Sequence, residues 1–129
     1  MSDPRVAPAQ WRPGDRTTKI TPIDLHTAGE PFRVVVSGLP AIEGSSILAR
    51  RRWALENLEP LRRALMWEPR GHADMYGCFL TPPVTDDADL GVLFLHNEGY
   101  STMCGHGIIA LATLAVETGM IAVSYTHLT

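Results

Sequence analysis

A mixed α/β (α+β) lobe, with one sheet built around a central apolar helix, is the fold this sequence predicts. Three observations carry it. Short β-branched and aromatic runs recur along the chain, two stretches between them repeat apolar residues at helical spacing, and the segment after Cys104 is apolar on nearly every side. A length of 129 residues, 45% hydrophobic and 19% charged, suits one domain or one lobe of a larger one.

Taken in order, residues 1–18 carry Pro4, Pro8, Pro13 and Gly14 with little periodicity and read as a flexible leader without chemistry. The lobe proper is expected over residues 19–122. Lys19–Leu25 and Phe32–Ser37 read as two strands of a hairpin, separated by the turn composition of His26 to Pro31. From Ile47 the apolar positions Leu48, Leu55, Leu58 and Leu65 fall at helical spacing, with Ser45 or Ser46 available as N-cap. Proline suits a first turn but not a helix interior, so Pro60 divides the stretch into helices over Ile47–Asn57 and Pro60–Met66. The run Arg50-Arg51-Arg52 is expected on the solvated side. Tyr76–Leu80 and Gly91–Leu95 read as further strands, the second nearly continuous in apolar residues and so buried on both faces. A last helix runs from Gly105 to about Thr118 and stops at Gly119 in the C′ position.

Composition excludes several classes of function. Fourteen acids against 11 bases give a net charge of −3 with no basic stripe, so nucleic acid is not an expected partner. No apolar run reaches the roughly 18–20 residues of a membrane helix, and the N-terminus lacks the apolar core of a signal peptide. Neither a membrane nor secretion is expected, and the cytoplasm is the default. There Cys78 and Cys104 stay reduced, Cys78 as a core residue of its strand.

The chemistry concentrates in Asn97 to Gly107. Cys104 stands between a glycine-broken loop and the first turn of a helix, where unpaired amides and the helix dipole favour an anion. A thiol there is expected to be partly ionised, a usable base or nucleophile. Glycines at Gly99, Gly105 and Gly107 permit close approach of a ligand, and the amides of Gly105 and His106 make a cradle for a carboxylate. His106 is placed to hold the thiol's charge or to meet a substrate amine or hydroxyl. A Cys–His hydrolase is disfavoured, because near neighbours in sequence seldom make the lateral hydrogen bond it requires. Cys-x-His is no established zinc pair, and the alternation Asp24, His26, Glu30 is explained by a turn as well as by a metal. No metal is expected. A redox-sensing thiol remains as a third class of reading, and the polar loop Glu68 to Gly77 reads equally as surface or as site.

Three motifs in order, Asp24-Leu25-His26-Thr27-Ala28-Gly29-Glu30-Pro31, the Glu68–Gly77 segment and Met103-Cys104-Gly105-His106-Gly107, resemble the proline racemase family. The resemblance implies a lobe of the diaminopimelate epimerase type. Two such lobes enclose a proline or hydroxyproline substrate in that family, without metal or other cofactor, and racemases use one cysteine from each. It makes Cys104 the acid/base of this lobe and puts the Gly105 and His106 amides on the substrate carboxylate. The His106 side chain then lies near the ring nitrogen, and Tyr76 forms the aromatic wall. His96-Asn97-Glu98-Gly99-Tyr100 resembles the trans-3-hydroxy-L-proline dehydratase branch, in which threonine replaces the second cysteine. Proline racemase or 4-hydroxyproline epimerase is the alternative enzyme, and a non-catalytic imino-acid binding lobe is the alternative of another class. Family chains are more than twice this length. The resemblance ends near Ala122, and Val123 to Thr129 resembles translated adaptor sequence. The isolated chain is therefore expected to be inactive or poorly soluble, and a homodimer of a full-length form is left open.

Overall fold

The computed structural model describes residues 18–120, so the expected tail 123–129 and all but the last residue of the expected leader 1–18 lie outside the described residues. Strands β1 (Thr21–Thr27) and β2 (Glu30–Ser37) pair antiparallel, with Thr27 opposite Glu30 across the two-residue turn Ala28-Gly29. Both turn residues have positive φ, 51° and 91°, the handedness that matches strand twist and that glycine adopts without strain. So tight a turn lets the strands run through His26, Thr27, Glu30 and Pro31, which composition alone assigns to a longer turn. Pro31 is tolerated because the ladder on the other side of β2 begins only at Arg33, opposite Gly77.

Helix α1 (Ile47–Asn57) starts at Ser46, whose hydroxyl accepts the Ala49 amide at 3.0 Å. Helix α2 (Glu59–Met66) follows after Leu58 alone, with Pro60 in its first turn. Then come β3 (Tyr76–Thr81), β4 (Gly91–His96), the short β5 (Tyr100–Ser101) and helix α3 (Gly105–Glu117). The sheet order is β1-β2-β3-β4-β5, and only β2 and β3 are parallel. A parallel pair needs a crossover rather than a hairpin, and α1 with α2 supplies it. Strand β5 was not legible in the sequence. Two residues are too few to show alternation, and they belong to a hairpin closed where the His96 amide donates to the Gly99 carbonyl at 2.9 Å.

Strand alternation divides the core into two layers. Val35, Phe79, Leu93 and Leu95 meet Leu58, Leu65 and Met66 of the α1–α2 side. Phe32, Val34, Cys78 and Phe94 meet Ala110, Leu111 and Leu114 of α3 on the other. The mixed sheet is thus as expected, but α3 is not wrapped by it. The helix has one face on the sheet, and Ile108, Ile109 and Val116 on its other side stay exposed, Ile109 by 59%. A single sheet face covers only the stripe that repeats Ala110, Leu111 and Leu114.

Two further expectations are corrected. Leu48 and Leu55 are 60% and 53% exposed, because α1 turns its short Ala54 toward the sheet and its leucines outward. Arg50 leaves the solvated run: it donates to the Gly44 carbonyl at 3.0 Å, to the Thr81 hydroxyl at 2.9 Å and to the Pro82 carbonyl. Five donors on a long stem reach back over the helix start and tie it to the end of β3.

Cys78 is fully buried, and burial pushes its thiol up to about 12. A folded-state pKa above the unfolded one means that the folded chain holds this proton longer, so the stability it contributes is present below about pH 8.5 and is lost as pH rises toward 12. The urea midpoint is therefore expected to fall steeply above about pH 8.5. Cys78→Val, similar in volume, is expected to flatten that alkaline slope; an unchanged slope would contradict the assignment.

Candidate active site

Cys104 is the N-cap of α3, with extended backbone (φ −144°, ψ 105°), and its carbonyl accepts the Ile108 amide at 2.9 Å. The next three amides, of Gly105, His106 and Gly107, lie in the first turn and have no acceptor within the helix. Thr27, at the end of β1, donates its hydroxyl to the His106 carbonyl at 3.0 Å and ties this turn to the β1–β2 hairpin.

The thiol and the imidazole are in contact. Cys104 Sγ lies 3.4 Å from His106 Nδ1 and 3.7 Å from Nε2, near-equal distances that set the sulfur against the ring rather than on the in-plane axis of one nitrogen, so the two groups touch without the lateral hydrogen bond that the spacing disfavours. The extended N-cap and the helical N2 position project their side chains toward the same side. Two aromatic edges then fix the ring of His106: Tyr76 at 5.3 Å between centroids and Phe32 at 6.1 Å, both near perpendicular. Tyr76 in turn packs against His96 at 5.7 Å. Cys104, Gly105, His106 and Tyr76 are thereby gathered at one end of the sheet.

The expected thiolate is not what this environment favours. Cys104 is 5% exposed and belongs to the core on the α3 side, so burial raises its pKa, and the opposing Gly107 amide offsets only part. Desolvation outweighs the helix terminus here. The resting group is a neutral thiol with an imidazole beside it.

The three glycines play different parts. A Cβ on Gly107 would meet the Phe32 ring at 2.5 Å and the Cys104 sulfur at 3.1 Å, so packing alone requires glycine there. Around Gly99 and Gly105 nothing lies within 4 Å of such a Cβ, and neither has an unusual backbone. Gly107→Ala is expected to cost about 1–3 kcal/mol by overpacking, whereas Gly105→Ala should shift stability by no more than about 1 kcal/mol. Chemical denaturation of the two variants checks this contrast.

The acidic alternation of β1 serves the scaffold. Asp24 forms a two-pronged pair with Arg33, at 2.7 and 3.0 Å, which holds its carboxyl below the usual range. Arg33 also donates to the carbonyls of Leu65 and Arg70, at 2.8 and 2.7 Å, and so fastens the loop before β3. His26 Nδ1 accepts the Gly29 amide of its own turn at 3.2 Å. Among the described residues no three His, Cys, Asp or Glu side chains gather around a common ion position, and no helix is long and apolar enough to cross a membrane. Sequence reasoning missed Phe32 and Thr27. Phe32 is legible only as one core position of an alternating strand, and nothing near Thr27 marks its reach to α3.

Comparison with known proteins finds relatives over most of the chain. The chain is 60% identical over 102 residues to the trans-3-hydroxy-L-proline dehydratase of Burkholderia ambifaria, a match covering 79% of this chain and 30% of that protein. It is 58% identical over 102 residues to the 3-hydroxyproline 2-epimerase of Burkholderia multivorans, with the same coverage of 79% and 30%. Among solved structures, a hydroxyproline epimerase from Agrobacterium vitis with bound trans-4-hydroxy-L-proline superposes with a TM-score of 0.72 at 28% identity, over 82% of this chain and 32% of that one. The chain thus spans about 30% of the length of the curated relatives it matches. The proline racemase family model matches residues 22–129, from the start of β1 through the Cys104 turn and onward, and on that match the chain belongs to the proline racemase family.

Proposed function

We propose that this chain supplies one lobe of a cofactor-independent active site that dehydrates trans-3-hydroxy-L-proline. The observation that carries the reading is the Cys104 sulfur 3.4 Å from His106 Nδ1, at a helix start whose first amides lack helical acceptors. In this reading the lobe has the diaminopimelate epimerase type of fold and works in the reducing cytoplasm, where its two free thiols persist.

The geometry supports a definite order of events. The Gly105 and His106 amides take the substrate carboxylate at the positive end of α3, and Tyr76 walls the ring. Because burial favours the neutral thiol, Sγ first passes its proton to the adjacent imidazole once the His106 ring turns a nitrogen toward it, which leaves a thiolate beside an imidazolium. The thiolate then removes the Cα proton while the amides stabilise charge developing on the carboxylate. The C3–O bond breaks, the departing hydroxide takes up one proton, and the sum is loss of water. The enamine that remains rearranges to pyrroline-2-carboxylate.

Epimerisation is the second reading, favoured by the similarity to the 3-hydroxyproline 2-epimerase. It begins with the same Cα proton removal and differs in returning a proton from the opposite face. Incubating a full-length protein carrying this lobe with trans-3-hydroxy-L-proline in deuterated water separates the two. Pyrroline-2-carboxylate is expected. Inverted, Cα-deuterated hydroxyproline as sole product would replace dehydration by epimerisation, and no reaction with any hydroxyproline would overturn both.

A further inference from the structure

We infer that Asn97 is a positioning residue, which sets the His106–Cys104 contact by clamping the loop before β3. The inference rests on Cys104 and His106 being the working pair.

Asn97 lies in the turn between β4 and β5, yet its side chain points back into the molecule. Nδ2 donates to the carbonyls of Met66 and His72, both at 2.7 Å, and Oδ1 accepts the Met75 amide at 3.0 Å. One amide thus ties the end of α2 and two points of the following loop to the β4–β5 turn. Its own carbonyl is held from the other side, by Arg62 and by the Trp67 indole, each at 2.7 Å. The turn is fixed, so the loop is fixed to it.

Met75 precedes Tyr76, and Tyr76 is the residue whose ring centroid stands 5.3 Å from that of His106 and 5.7 Å from that of His96. Tyr76 also opens the ladder between β3 and β4, opposite His96. The Met75 amide bond to Asn97 therefore fixes the backbone that carries the aromatic wall, and that wall limits where the imidazole can turn. Without it, the Met66 carbonyl loses its partner, the Met75 amide and the His72 carbonyl keep only their 3.2 Å bond to each other, the start of β3 loosens, and His106 is free to rotate off the sulfur. The titratable neighbours of this contact are Cys78 and Tyr76 from β3, His96 from β4 and His106 from α3 itself.

The test needs no substrate, so its outcome is separate from that of the turnover experiment. Iodoacetamide alkylation of Cys104 is followed from pH 6 to 10 by peptide mass spectrometry on a full-length protein carrying this lobe, with the fully buried Cys78 as an internal monitor of unfolding. Asn97→Ala is expected to slow Cys104 alkylation at neutral pH by about three- to tenfold and to move its pH profile onto that of His106→Ala. Leu58→Ala, in the core on the opposite sheet face, lowers stability without touching the pair and should leave the profile unchanged. Asn97→Gln carries the same amide on a longer stem that cannot meet all three partners, and serves if the alanine variant does not fold. A wild-type Cys104 profile in either folded Asn97 variant, with only the melting temperature lowered, would make Asn97 a purely structural residue and overturn the inference.

Discussion

Cys104→Ser in a full-length protein carrying this lobe is expected to lower conversion of trans-3-hydroxy-L-proline by about 10²–10⁴-fold, the usual loss when a positioned base is removed. Serine keeps the volume and the N-cap position, so the amides of Gly105 and His106 still face the same space, and ligand-induced stabilisation against heat should stay near the wild-type value. The hydroxyl fails because its proton is far harder to remove, and His106 at 3.4 Å from the original sulfur cannot make up that difference. Exchange of the Cα proton with solvent deuterium should fall with turnover. Unaffected exchange in the serine variant would remove Cys104 from the chemistry and leave a binding lobe. The wild-type rate carries its own signature. Since burial raises the Cys104 pKa, the neutral thiol that feeds the internal transfer persists past the ordinary thiol range, so kcat/KM is expected to hold its value through about pH 8.5 rather than fall there.

What was legible in the sequence follows from the range over which each signal acts. Ser46 as a cap, Pro60 in a first turn and Gly119 after α3 are local rules, and each stands where those rules put it. The pairing of Cys104 with Gly105 and His106 was legible for the same reason, since all three belong to one helix start. Its protonation was not. A helix terminus can be read from eleven residues, but the desolvation that outweighs it comes from a core assembled by β2, β3, β4 and α3. Arg50 and Asn97 fail in the same way. Each looks like a wet residue of a turn or helix face, and each turns inward to carbonyls 25 or more residues away in sequence, Arg50 to Pro82 and Asn97 to Met66 and His72. Polar side chains that satisfy distant backbone leave no periodic trace, because their partners are backbone groups present at every position.

Arg62 is the extreme case, and its removal should produce the largest stability change in the chain. Beside Arg63 on α2 it reads as surface, but it is only 3% exposed. Its Nε and Nη2 donate to the two carboxylate oxygens of Glu59 at 2.7 and 2.8 Å, and Nη1 donates to the carbonyls of His96 and Asn97 at 2.9 and 2.7 Å. Arg62→Ala strands a half-buried carboxylate and the His96 carbonyl, leaves the Asn97 carbonyl with the Trp67 indole alone, and is expected to cost about 3–5 kcal/mol, a large share of the roughly 5–15 kcal/mol that holds a domain folded. The double variant Arg62→Met with Glu59→Leu separates the two losses. Replacing both charges by apolar groups should restore the part owed to the stranded carboxylate but not the part owed to the His96 carbonyl, which still lacks the Arg62 donor. Acid supplies an independent check. Arg62 holds Glu59 below its usual pKa, so the pair's contribution is present above about pH 4.5 and is lost as pH falls through the lower folded value. Urea midpoints measured from pH 7 down to 3 should therefore drop in the wild-type chain. In Arg62→Met that drop should shrink toward the part that the Asp24–Arg33 pair contributes, because the remaining Glu59 carboxylate, half-buried and unpaired, gains from being protonated; a drop as steep as wild type would mean that the Arg62–Glu59 pair contributes nothing to the fold.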